Sequence, residues 1–248
     1  MSEEYAFGFP RLWEKAYKTH EEVYRVIDRL TELAAELLTA TQGSKQEIQQ
    51  VMSALTQVAS GSMNDVLILA GNERGTGAMK LARGMFEIST IAEYLAKNPL
   101  EINAYLDFAI VNSWRHLQRL ERNSPGTVPS DLMTDTEAEY NRVKGQFTDA
   151  RNRVRLNWTE KSIKKMAGDI GHLDRYETVY SVAAELHHMN AAGLLGHELD
   201  WISEALKVAH ASLLGTVYML FSVAGASAVK DKIKAAQADF EKVWKQTS

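Results

Sequence analysis

Residues 81–95 read LARGMFEISTIAEYL. Leu81, Ala82, Met85, Phe86, Ile88, Ile91, Ala92 and Leu95 recur at intervals of three and four, the period of a helix that is apolar on most sides. One narrow polar stripe interrupts it. Arg83, Glu87, Thr90 and Tyr94 are spaced four, three and four, and so share one side of the helix. A charged side chain is costly to bury unless it is paired and hydrogen-bonded. Three readings of the Arg83/Glu87 pair are open: a surface i,i+4 ion pair in its weaker order, a buried structural network, or a functional site.

The best partner for the stripe lies downstream, in residues 176–190, YETVYSVAAELHHMN. Ser181, Glu185 and His188 repeat the four-then-three spacing, with Tyr180, Ala184 and His187 on the adjacent face. One of the adjacent histidines faces inward and the other outward. His188 has the chemistry of a general acid or base near neutral pH, and Arg83 that of an anion clamp. The proposed lining is Arg83, Glu87, Tyr94, Tyr180, Ser181, Glu185 and His188.

Outward from these two segments the same period continues. A first helix is expected from Arg11 to Thr41, ended by Gly43-Ser44. Ser44 with Glu47 reads as a capping box for a second helix reaching Ala70. GNERGTG, Gly71 to Gly77, is a turn, and the third helix follows to Lys97, where Asn98-Pro99 stops it. Further helices are expected from Leu100 to Arg122, Thr134 to Leu156, near Glu160, Tyr176 to Asn190, Leu199 to Ala224 and Ala228 to Trp244. NSPGTVPSD is the clearest loop. The expected architecture is an all-α bundle of about eight or nine helices. It is read as one helical domain over 1–248, with an N-terminal pair to 70, a core over 77–190 and a C-terminal pair over 197–245.

Composition narrows the function classes. With 248 residues, 45% hydrophobic, the chain can bury a sizeable core. A net charge of −4 argues against a nucleic-acid-coating or polybasic membrane role. There is no cysteine, which removes disulfides, thiolate metal sites and cysteine nucleophiles. The start, MSEEYAFGFPRLWEK, lacks the pattern of a signal peptide. The greasiest run, LLGTVYMLFSVAGASAV, falls short of the roughly 18–20 apolar residues of a spanning helix. A cytoplasmic protein with no membrane partner is expected. The helix carrying that run is apolar nearly all round and is expected at the centre of the bundle, with a homodimer as the assembly.

One stretch is locally basic: Arg142, Lys144, Arg151, Arg153, Arg155, Lys161, Lys164 and Lys165, opposed by Asp149 and Glu160. If helical, it sets Lys144, Arg151 and Arg155 on one face near Phe147 and Trp158. That is where RNA would dock, unless the charges simply solvate a helix. Glu185-x-x-His188 matches half of a di-iron carboxylate motif, with Glu87 as a further ligand, so a metal site at Glu87, Glu185 and His188 is an alternative. The nearest second half, Asp169 to His172, straddles Gly171. The Gly71–Gly77 turn lacks the Gly-Lys-Ser/Thr of a phosphate loop, and no cofactor motif is present.

The order of these pieces resembles a large uncharacterised family of all-helical bacterial proteins, a domain of unknown function. The resemblance rests on Arg83, Glu87, Tyr94-Leu95, Asn98-Pro99, Trp158, Ser162-Ile163, Tyr176, Tyr180 and His188, and covers Gly77 to Asn190. The chain has Ala184 where that pattern carries a small hydroxyl residue. More distantly it is similar to the HEPN superfamily of helical bundles, many of them metal-independent ribonucleases of defence systems. That likeness implies a HEPN-like core, a late-helix histidine as catalyst and a site shared across a dimer. The arginine expected four to six residues before the histidine is absent, and Arg83 would replace it in space. The implied function is RNA or nucleotide phosphodiester cleavage in a defence or stress system. His188, Arg83, Glu87 and Glu185 would be its catalytic groups, and Tyr94, Tyr180, Ser181, Arg151, Arg155 and Trp158 its substrate contacts. A non-catalytic module binding a ligand or partner is the alternative.

Overall fold

The computed structural model describes residues 9–180, 183 and 200–245. In chain order the helices are α1 (Pro10–Thr19), α2 (Glu21–Ala40), α3 (Glu47–Gly71), α4 (Gly75–Lys97), α5 (Ile102–Asn123), α6 (Ser130–Val143), α7 (Ile163–Asp169), α8 (Leu173–Arg175), α9 (Trp201–Ala224) and α10 (Lys230–Lys245). A 3₁₀ turn over Pro99–Glu101 precedes α5, and a π-helical turn over Tyr176–Tyr180 continues α8. No strand occurs among the described residues; Thr148 and Val154 form an isolated antiparallel bridge. The protein is all-α, as its apolar period requires.

These elements group into two compact units, one of residues 98–162 and one of the chain on either side of it. In the larger unit α9 is the central helix, packed on α4, α3 and α2. Leu206, Leu213, Val217 and Leu220 are fully enclosed. Burying such side chains is worth roughly 1.5–3 kcal/mol each. Close approach of α9 and α4 depends on Gly215, where a Cβ would run into the Ser89 hydroxyl. The polar groups between the core helices are satisfied within a helix or across to its neighbour. Ser212 donates to the carbonyl of Val208 at 2.7 Å, and Thr56 reaches the carbonyl of Thr216 at 3.3 Å. The C-terminal α10 docks through Trp244, whose indole N–H donates to Nδ1 of buried His210 at 3.2 Å.

Three helix boundaries differ from expectation. The first long helix is two: His20, at φ −122°, leaves the helical region, and Glu21 and Glu22 favour a new N-terminus through the helix dipole. Ser44 does not cap α3. Its hydroxyl donates to Gln49 at 2.6 Å and accepts from the Gln46 amide, and Glu47 is the first helical residue. The helix expected over 134–156 ends at Val143, with a 3₁₀ turn over Lys144–Phe147. Asp149 explains the stop. Its carboxylate accepts from the amides of Arg151 and Arg153 and from the Arg153 guanidinium, and Asn152 takes φ 58°. Local side-chain bonds of this kind compete with helix.

Gly71 closes α3 beneath α1. A Cβ there would meet three carbons of the Trp13 ring at 2.6–2.7 Å. An indole cannot bend away, so Gly71→Ala is expected to cost about 1–3 kcal/mol by overpacking. Amide exchange in α1 should speed up first; unchanged α1 protection would show that Trp13 has room to move.

Candidate functional site

The polar stripe on α4 meets the segment His172–Tyr180. Arg83 Nη2 donates to the Tyr180 hydroxyl at 2.7 Å and lies 3.4 Å from Glu87 Oε1. The Arg83 guanidinium also stands 4.5 Å from the Tyr180 ring centroid. Tyr180 stacks on Tyr176 at 4.6 Å and tilts towards Phe86 at 6.0 Å. Tyr176 and Tyr180 project together because they are one turn apart at the end of α8. Burial pushes the Tyr180 phenol up; the Arg83 hydrogen bond opposes this and the Glu87 charge adds to it.

The Arg83/Glu87 pair is neither a surface ornament nor enclosed. Its side chains keep 18% and 34% of their exposure. Arg83 Nε is buried and has no hydrogen-bond partner among the described residues. A guanidinium carries five donors and never loses its charge in a protein, so this arginine has binding capacity unspent. Further along the stripe the character changes. Thr90 is buried and its hydroxyl returns to the carbonyl of Phe86 at 2.8 Å. Tyr94 is fully enclosed.

A second polar cluster occupies the C-terminal half of α4. Glu93 accepts from Lys97 at 2.8 Å and pairs with His172 Nε2 at 2.8 Å, while Lys97 also donates to the carbonyl of Ile170. These bonds lay the turn after α7 over α4. Burial pushes the Glu93 carboxyl up, but the hydrogen bonds and charges of Lys97 and His172 outweigh it and hold the pKa below the usual value. His172 is thus tied to Glu93. Among the described residues no three acidic or histidine side chains gather as a metal would need.

Arg175 stands 5.9 Å from the Phe86 ring. Sequence reasoning gave no role to Glu93, Lys97 or Arg175, and weighed His172 only with Asp169 as a poor second half of a metal motif. The Glu93-then-Lys97 spacing is the favoured i,i+4 order and was readable. Nothing local marks Arg175 or the pairing of His172 with Glu93, because the partners lie on a distant helix.

Of the expected site residues, the structure brings Arg83, Glu87 and Tyr180 together. Ser181, Glu185 and His188, with His187, lie outside the described residues. Arg151, Arg155 and Trp158 belong to the unit of residues 98–162. They share no helical face with Lys144, since the helix stops before them. Arg153 is held by Asp149 at 2.9 Å, and Arg155 lies beside Phe147 and pairs with Glu160 at 3.3 Å. Arg115 pins this loop by donating to the carbonyls of Val154 and Arg155. Trp158 is buried edge-on against Tyr105. The exposed Arg151 side chain is the member of this expected trio most open to solvent. Much of the basic stretch is therefore engaged within its own unit.

The glycine-rich turn also has a structural task. Glu73 takes φ 57° between α3 and α4, and a Cβ on Gly75 would fall 2.8 Å from Cβ of Trp201 at the start of α9. No curated protein and no solved structure matches the chain. A family signature does match over residues 49–200, which takes in α4 with its polar stripe and the Tyr176–Tyr180 turn. The chain belongs to the family of unknown function DUF5677.

Proposed function

We propose that the seam of Arg83, Glu87 and Tyr180 binds a phosphate-bearing ligand, an RNA strand or a nucleotide, and that the protein cleaves its phosphodiester without a metal. The observation that carries this reading is the partly buried Arg83, oriented by Glu87 and Tyr180 and still holding a donor with no described partner. An oriented guanidinium is suited to a phosphoryl group and to the charge that grows on it in the transition state. Glu87 holds Arg83 in place. His188 supplies the acid–base function, taking the proton of the attacking 2′-hydroxyl or returning one to the leaving oxygen. Two chains would form the working unit, as the HEPN likeness implies.

The test is cleavage of an end-labelled oligoribonucleotide by pure protein, with and without EDTA, beside His188→Ala. The expected result is cleavage that survives EDTA and falls about 100-fold or more in the variant. Activity lost to EDTA would instead support metal ligation by Glu87, Glu185 and His188. No cleavage at all would leave ligand or partner binding, the second reading. That reading draws on the same seam, because Arg83 clamped between an acid and a phenol also serves a purely binding site.

A further inference from the structure

Phe86 and Tyr180 form a tilted aromatic pair on the seam, with Arg83 against the Tyr180 ring and Arg175 against the Phe86 ring. The four side chains are thus linked in one row: Arg83, Tyr180, Phe86, Arg175. The two cations differ in how they are compensated. Arg83 has Glu87 at 3.4 Å and the Tyr180 hydroxyl at 2.7 Å. Arg175 is half-buried, and among the described residues no carboxylate, carbonyl or hydroxyl accepts from it. Burial accordingly pushes its pKa below the usual arginine value, offset in part by the more distant charges of Glu93 and Asp174.

Of the acids whose charge reaches it, Asp174 is its chain neighbour and makes no ion pair with it, and Glu93 is committed elsewhere, as are the other acids of the seam. Glu93 is taken by Lys97 and His172, Glu87 by Arg83, and Glu177 by Lys164 at 3.0 Å. Lys164 adds positive charge 5.9 Å from the Tyr176 ring. A half-buried guanidinium with no acceptor among the described residues has its desolvation only partly repaid by water. An anionic ligand would supply the missing acceptors. Aromatic faces beside two arginines also match the chemistry of a nucleotide, whose base is flat and whose phosphate is forked.

We infer that Arg175 is a second phosphate-binding residue of the seam, so that ribonucleotide phosphoryl groups are held from both ends of the Phe86–Tyr180 pair. This rests on the preceding reading that the seam binds a phosphate-bearing ligand. It adds a residue from outside the α4 stripe, and it limits the ligand to one with an anionic phosphoryl group beside a stacking surface.

The experiment is a titration of full-length protein carrying His188→Ala, which prevents turnover, with two probes, ADP and a short oligoribonucleotide. Arg175→Gln and Arg83→Gln are compared with that parent, and the melting temperature is followed with and without probe. Arg175→Gln is expected to weaken the preferred probe about tenfold or more, the loss of a charge-assisted contact. Its melting temperature without probe should stay level or rise, because an uncompensated charge has been removed. The probe that binds more tightly separates a free nucleotide from a strand as the source of the phosphate. Binding abolished by Arg83→Gln but untouched by Arg175→Gln would overturn the role of Arg175 and leave the seam intact. A variant that melts lower while binding equally would make Arg175 a structural cation on Phe86. Absence of binding by the parent to both probes would overturn the seam reading itself, and this inference with it.

Discussion

Lowering the pH from 7 to about 4 is expected to remove about 3 kcal/mol of stability through one side chain, His210. It sits in the middle of α9, enclosed, with Nδ1 occupied by the Trp244 indole and the Phe240 ring edge-on at 5.0 Å. Burial pushes its pKa down from 6.5 to about 4, with only a partial opposing pull from Asp239. The folded protein therefore keeps His210 neutral at pH values where the unfolded chain protonates it. The stability this represents is complete above the unfolded value near 6.5. It falls as pH drops through the interval to about 4 and changes no further below that. At about 1.36 kcal/mol per pH unit the interval sets the size of the effect. Urea unfolding at pH 7.5 and pH 4.5 measures it, with His210→Gln as the control that lacks a titrating ring. A wild-type loss no larger than the variant's would place the acid sensitivity elsewhere. The consequence is local as well as global. Protonated His210 can no longer accept from Trp244, so α10 should lose amide protection before α4 does.

Phe86→Ala is expected to destabilise the protein by about 3–4 kcal/mol, and Phe86→Leu by only about 1–1.5. Phe86 is 3% exposed and lies under both Tyr180 and Arg175. Alanine would leave a cavity between α4 and the turn of residues 172–180; leucine refills most of that volume. The two variants separate packing from site geometry. Leucine keeps the floor but removes the ring that faces the Arg175 guanidinium. If phosphate binding depends on that row, Phe86→Leu should weaken it several-fold while chemical denaturation records a small change. Equal denaturation midpoints for the alanine and leucine variants would mean that Phe86 is not a packed floor, and the geometry argued for Arg175 would lose its support.

The all-α class was open to a reader of the sequence. The three-and-four period of Leu81 to Leu95 is that of a helix, and the run around Leu213 to Phe221, apolar nearly all round, suited either the centre of the bundle or a subunit interface; the structure places it at the centre of its unit. Local chemistry also marked the loop at Pro125 and Gly126 and the stop at Asn98-Pro99. It failed where a short-range competitor decides between two local structures. Asp149 ends a helix that composition alone would extend to Leu156, and so the cationic face imagined for Arg151 and Arg155 does not form.

The candidate site divides in the same way. That Arg83 and Glu87 needed a partner followed from the sequence by itself, because a charged pair in an apolar helix must be compensated whatever surrounds it. Tyr180 was among the expected lining residues, but the hydroxyl it gives to Arg83 shows only in the structure. Only the tertiary structure decided that the C-terminal half of the stripe closes over Tyr94 while Arg83 keeps some exposure, that His172 belongs to Glu93, and that Arg175 stands beside Phe86 with no acceptor among the described residues. Periodicity reports which residues share a face of their own helix. It carries no information on which distant segment is laid across that face, and the compensation of a charge is settled there.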